Sequence, residues 1–165
     1  MIRDNQASGY RYGKAVKVSD SPTVWVEVDL AAIRHNAREA RRVVGDRVKI
    51  LAVVKADGYG HGMVEVARAL LMEGVYGFGV TRLEDAALLR EACIEAPILV
   101  FDSSLPRDAA LIVEQGLDQT VCTLELAEAL SAAACASGKT ARAHVKIDTG
   151  MGRLGIPPDQ AVEFV

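Results

Sequence analysis

One lysine in this sequence stands where a nucleophilic amine would be useful. It closes the apolar run of AVVKADGYGHG (52–62), and Gly58, Gly60 and Gly62 follow it closely. Alternation along an extended chain puts Leu51, Val53 and Lys55 on one face and Ile50, Ala52 and Val54 on the other. Lys55 is then the last residue of its face, an amine at the mouth of a sheet above apolar neighbours. Burial there lowers a lysine pKa and frees the amine as nucleophile and base, the setting a Schiff-base lysine needs. A surface lysine at a strand end is the plain alternative, and the loop that follows weighs against it. The glycines open backbone conformations closed to other residues and let a ligand approach the chain. A helix expected from Met63 would aim free N–H groups at a phosphate. A tight turn without ligand explains the glycines alone equally well. Tyr59 offers a hydroxyl to a phosphate or packs on the rim, and His61 reads as a structural residue that holds the loop.

A second cluster lies in HVKIDTGMGRLG (144–155). Alternation places His144, Lys146 and Asp148 on one face and Val145 and Ile147 on the other. The apolar face suits packing on helices. The polar face then points into the sheet's interior, which is costly unless its groups are paired. A solvated polar edge is the alternative, but it sits badly with a parallel sheet covered on both sides. Arg153 follows in a glycine loop, where a plain surface arginine is also a fair reading.

The elements that must position these residues form a repeating pattern. Val24–Asp29 alternates like a strand. Asp29 can cap a helix through Leu30, Ile33, Ala37, Ala40 and Val44, which Gly45 ends. Strands are expected at 49–56, 77–80, 97–101, 118–122 and 141–147. Helices are expected at about 63–73, from Pro106 to Gln115, and from Leu124 to about Ser137. A further helix follows a Thr81–Glu84 capping box, and another opens at Pro157-Pro158. Alternating strand and helix means parallel βαβ units, so the class is α/β. Lys55 and Arg153 follow strands far apart in order, and a closed barrel brings such loops to one face. A doubly wound sheet gathers ligands near one switch point instead. The expected architecture is part of a (β/α)8 TIM-type barrel with about five of eight βα units present. The chain stops inside an expected helix and so reads as truncated.

Bulk properties narrow the class. The 165 residues carry a formal net charge of -3, with 50% hydrophobic and 25% charged residues, ordinary for a globular protein. There is no electrostatic footprint for nucleic acid or an anionic membrane. Cys93, Cys122 and Cys135 show no metal-ligand or redox spacing and read as reduced thiols, so no metal is expected. No apolar run is long enough to span a bilayer. Residues 1–22 are polar, lack the apolar middle of a signal peptide, and read as a flexible N-terminal extension. The cytoplasm is the expected compartment.

Two segments carry a family resemblance. VVKADGYGHG (53–62) resembles the cofactor-attachment segment of alanine racemases, and HVKIDTGMGRLG (144–155) resembles their barrel-strand-five segment. The opening WVEVDLAAIRHN (25–36) is also similar, so the resemblance covers residues 23–165, the N-terminal part of the pyridoxal-phosphate barrel domain, with no departure at the motif positions. It implies that Lys55 carries pyridoxal 5'-phosphate and abstracts the Cα proton of the D-enantiomer. It implies that Arg153 meets the cofactor's phenolic oxygen and the substrate carboxylate. Lys146 matches a lysine that is carbamylated in some members. The implied reaction is two-base interconversion of L- and D-alanine, which supplies D-alanine for bacterial cell-wall peptidoglycan, in a homodimer of the full-length protein. A histidine, an arginine and a β-rich domain with the second base, a tyrosine, are not in this sequence. The chain alone is therefore expected to be poorly active. Rivals are a racemase for serine or a broader amino-acid range, a fold-related decarboxylase, and a non-catalytic pyridoxal-phosphate-binding barrel protein. The last two lack the Tyr-Gly-His-Gly continuation or leave TGMGRLG unexplained.

Overall fold

The computed structural model describes Val24 and residues 26–165. The extension over 1–22, with Thr23 and Trp25, lies outside the described residues. The helices are α1 (Leu30–Val44), α2 (Lys55–Gly60), α3 (Met63–Leu71), α4 (Leu83–Glu91), α5 (Ala109–Glu114), α6 (Leu124–Ser137) and α7 (Ala161–Phe164). The strands are β1 (Leu51–Val53), β2 (Gly77–Val80), β3 (Ile98–Val100), β4 (Asp118–Val121) and β5 (Arg142–Val145). They form one parallel sheet in the order β1-β2-β3-β4-β5. Each new strand lies beside its predecessor. A doubly wound sheet reverses its order at a switch point, whereas a barrel adds strands in sequence. The topology is that of a partial (β/α)8 barrel, with five of its strands among the described residues.

The register separates two faces. Phe78 pairs with Ile98 and Val80 with Val100, and all four are buried with Val121 against Leu89, Ile112 and Leu126 of the helices. These apolar residues form the layer between sheet and helices, where β-branched and aromatic side chains remove most surface from water. The other face runs Val53–Gly79–Leu99–Asp118–Arg142 from strand to strand. It is the inner face of the barrel. Gly79 has no side chain there for a reason: an added Cβ would fall 2.2 Å from Cζ of Phe101. The Phe101 ring crosses β2 at that point.

Polar staples fix the rest. Glu73 accepts from Arg34 Nε (2.5 Å) and Arg38 (2.9 Å), which ties the end of α3 to α1. The Arg34 hydrogen bond is the main cause holding the Glu73 carboxyl below its ordinary pKa. Gln119 is fully buried; it donates to the carbonyls of Asp102 (2.7 Å) and Thr120 (2.8 Å) and accepts from Ser104. Arg90 donates to the carbonyls of Ile94, Ala96, Gln115 and Gly116, where the chain enters β3 and β4.

Several local expectations are corrected. Residues 26–29 form no strand; Val24 and Val26 are 82% and 79% exposed, and no neighbouring strand pairs them among the described residues. Alternation makes a strand only where a backbone partner exists. Asp29 does cap α1, accepting from Ala31 and Ala32. The Thr81–Glu84 capping box is not formed, because α4 starts one residue later and Glu84 turns to Arg82 and its own amide. Thr123 caps α6 instead, without having been foreseen. The outer face of β5 is not packed on a helix: Val145 and Ile147 are both exposed.

Candidate active site at the strand C-termini

All five strands point the same way, so the loops after β1 and β5 open at one edge of the sheet. After β1 the chain enters α2, which is one turn of left-handed helix. Ala56, Asp57, Gly58 and Tyr59 have φ of 51–62° and ψ of 38–52°. Only Gly58 adopts this region without steric penalty; the other three are strained by about 1–2 kcal/mol each. Local bonds hold them there. Gly58 N donates to Val54 O (2.9 Å), Gly62 N to Asp57 O (3.0 Å), and Met63 N to Asp57 Oδ1 (2.8 Å). The His61 ring nitrogen Nδ1 meets Gly58 O at 2.9 Å. A Cβ on Gly58 would lie 3.3 Å from Met63, so the turn packs tightly on the start of α3.

This geometry corrects one expectation. The first amide of α3 was to be free for a phosphate, but the Asp57 carboxylate already accepts from it. A negative charge at that helix end repels a second anion. The glycine-rich loop is also more than a flexible turn, since three of the four residues that make the left-handed turn of α2 are not glycine.

The turn carries Lys55 and Tyr59 on one side. Lys55 Nζ lies 5.9 Å from the centroid of the Tyr59 ring, at the outer limit of a cation–π contact. Lys55 is half-buried rather than enclosed, and Tyr59 is 59% exposed. The amine and the phenol therefore stand together and open to a ligand. At the end of β5, Lys146 N continues the ladder to Val121 O (3.0 Å), while its half-buried Nζ reaches Phe101 O at 3.4 Å. Arg153 is exposed and makes no side-chain hydrogen bond or ion pair among the described residues. Lys55 and Tyr59 are thus neighbours, whereas Lys146 meets the Phe101 carbonyl just after β3 and Arg153 stands apart on its loop.

Two residues shape these loops in a way the sequence reading does not foresee, Asp57 carrying no expectation there and Asp148 reading only as part of a polar face. Asp57 pins the left-handed turn, and Asp148 accepts from Gly150 N and Gly152 N at 3.0 Å each. Those amides hold the Asp148 carboxyl below its ordinary pKa. The signal was present in both cases: an aspartate one or two residues before a glycine, able to bond nearby backbone amides.

A primary amine, a phenol and a guanidinium at one strand edge make a donor set for an anionic carbonyl compound. Comparison with known proteins gives the family. Residues 28–165 match the family model described as the alanine racemase N-terminal domain. An alanine racemase of Desulfovibrio desulfuricans is 43% identical over 147 residues, 89% of this chain and 40% of that protein. The solved structure of an alanine racemase from Clostridium difficile 630 superposes with a TM-score of 0.80 at 34% identity, covering 87% of this chain and 40% of that one. A histidine racemase from Leuconostoc mesenteroides superposes at 0.73 and 28% identity, over 82% of this chain and 37% of that one. The chain thus spans about two-fifths of the length of such relatives, and it belongs to the alanine racemase family through the N-terminal, barrel-forming domain.

Proposed function

We propose that this chain is the cofactor-bearing part of an alanine racemase, with pyridoxal 5'-phosphate attached at Lys55. The observation that carries the reading is the pairing of Lys55 with Tyr59, held open at the barrel mouth by a strained left-handed turn. Strain of this kind persists where the surroundings over-determine it, and it concentrates at functional sites. The residues present fit the cofactor. Lys55 offers an accessible amine to its aldehyde, Tyr59 a hydroxyl to its phosphate, and Arg153 a charged fork to its phenolic oxygen. When bound, pyridoxal phosphate supplies an electron sink that makes the substrate Cα proton acidic.

The chain's own residues do the rest. Lys55, once free of the cofactor, holds or removes the Cα proton on one face, which serves the D-enantiomer. Arg153 orients the substrate by its carboxylate. Lys146 is a second cation at the same edge, and carbamylation would convert it to an anion that no longer repels Arg153. The base for the opposite face, and a homodimer that supplies it, belong to this proposal, as do a cytoplasmic setting and D-alanine supply to peptidoglycan. Among the described residues no helix is long and apolar enough to cross a membrane.

A different amino acid is the second reading, favoured by the likeness to a histidine racemase. Polarimetry of L-alanine, and separately of L-serine and L-histidine, with the pyridoxal-phosphate-loaded full-length protein tests both. Alanine racemisation that falls to the level of free cofactor in Lys55→Ala supports the first. Turnover of another amino acid in preference to alanine supports the second. A Lys55→Ala protein with full racemase activity contradicts both.

A further inference from the structure

Arg153 is held at its position by backbone alone. No side chain among the described residues pairs with it, and its neighbour Met151 is 79% exposed. The backbone that carries it is a closed circuit. At the neck, Ile147 and Ile156 form an isolated parallel bridge. There Asp148 N donates to Ile156 O (2.9 Å) and Ile156 N donates to Lys146 O (2.8 Å). Inside the circuit lies the half-buried Asp148 carboxylate. A single oxygen, Oδ1, accepts from both Gly150 and Gly152, and the Met151 amide adds to its stabilisation. On the return side Gly155 has φ of 134°, and a Cβ there would fall 2.6 Å from Asp148 N.

Converging backbone amides of this kind form a concavity that binds anions. Left open, it would compete with Arg153 for the anionic groups of a ligand. Asp148 fills it from within the chain. We propose that Asp148 is the positioning residue for Arg153: it folds the 148–155 loop around its own carboxylate and presents the guanidinium as the anion-binding group of the mouth. This rests on the reading of Arg153 as a contact of pyridoxal phosphate.

The test is the equilibrium affinity of the protein for pyridoxal phosphate, read by absorbance of the bound cofactor, in a double-mutant cycle. Asp148→Ala and Arg153→Ala are each expected to weaken binding about tenfold, the scale of one charged hydrogen bond. Because one residue acts through the other, the double variant is expected to be no weaker than the poorer single one. Asp148→Asn keeps an oxygen able to accept both amides and is expected to bind within about twofold of the wild type. Amide hydrogen exchange at Gly150 and Gly152 should speed up in Asp148→Ala and not in Asp148→Asn. Additive losses, or wild-type affinity in Asp148→Ala, overturn the proposal. If the alanine variant does not fold, the asparagine variant decides, since a loss of about tenfold there also overturns it. A wild-type protein that takes up no pyridoxal phosphate overturns the cofactor reading itself, a result distinct from wild-type uptake with Asp148→Ala unchanged.

Discussion

Lys55 and Arg153 sit in loops shaped by the same device, an aspartate whose carboxylate accepts from backbone amides of its own segment. Asp57 does this for the left-handed turn and Asp148 for the β5 loop. Asp57→Ala removes the acceptor for the first amide of α3 and is expected to destabilise the protein by about 1 kcal/mol, the usual effect of losing a helix cap. It should also lower the yield of cofactor attached at Lys55, because three strained residues lose their main restraint. Thermal unfolding and quantitative peptide mass spectrometry check the two parts. Asp85, buried in the first turn of α4, makes a different prediction. Loss of water is the main cause pushing its carboxyl above the ordinary pKa, with Arg82 opposing, and with Glu84 and Asp57 adding to it. A raised folded-state pKa means that the ionised form is destabilising. The penalty grows as pH rises from the unfolded value toward the folded one and is constant above it. Asp85→Asn is therefore expected to be more stable than the wild type at neutral pH and to lose that advantage at about pH 3, below both values. A melting-temperature series against pH measures this; a gap that widens on acidification contradicts it.

Element by element, the sequence was most readable where the signal is local. β2 and α6 stand where glycine-bounded apolar runs and helical periodicity put them, because each is specified by its own residues. What escaped depends on distant partners. Residues 26–29 alternate like a strand but meet no second strand among the described residues. Left-handed Ala56, Asp57 and Tyr59 violate their own preferences, and only the bonds to Val54, Gly62 and Met63 explain them. Lys55, Tyr59, Lys146 and Arg153 could be put forward as site residues from sequence because each lies in a contiguous segment of unusual composition. The seat of Phe101 on Gly79 could not be foreseen, since it requires the register of β2 against β3. Gly79→Ala is expected to drive the Phe101 ring off β2 and destabilise the protein by about 1–3 kcal/mol, the range for overpacking. Gly155→Ala should be worse tolerated locally, because the clash is with backbone and its φ suits only glycine. Amide exchange at Gly150 and Gly152 reports that local loss.

Across the whole molecule, the mouth and the base of the sheet are stabilised separately. At the base, Arg90 ties the entries to β3 and β4 through carbonyls of Ile94, Ala96, Gln115 and Gly116, far from the strand ends that carry Lys55 and Lys146. Removing it leaves those acceptors unpaired, so Arg90→Ala is expected to cost about 3 kcal/mol of stability. Calorimetry should show the lower melting temperature, while cofactor attachment well below that temperature stays as in the wild type. Loss of attachment in folded Arg90→Ala protein would mean that base and mouth are coupled. The sequential strand order is that of barrels, in which the C-terminal ends of the strands carry chemistry and the opposite end stability, and the proposed role of Lys55 follows that division.

Everything proposed for the mouth depends on Lys55 being the attachment point for pyridoxal phosphate. Incubation of the protein with the cofactor, reduction with borohydride, proteolysis and mass spectrometry tests it most directly. One dominant label on Lys55, lost in Lys55→Ala, is expected, with Lys146 and the other lysines at background. Label spread evenly over many lysines, or none at all, would contradict it.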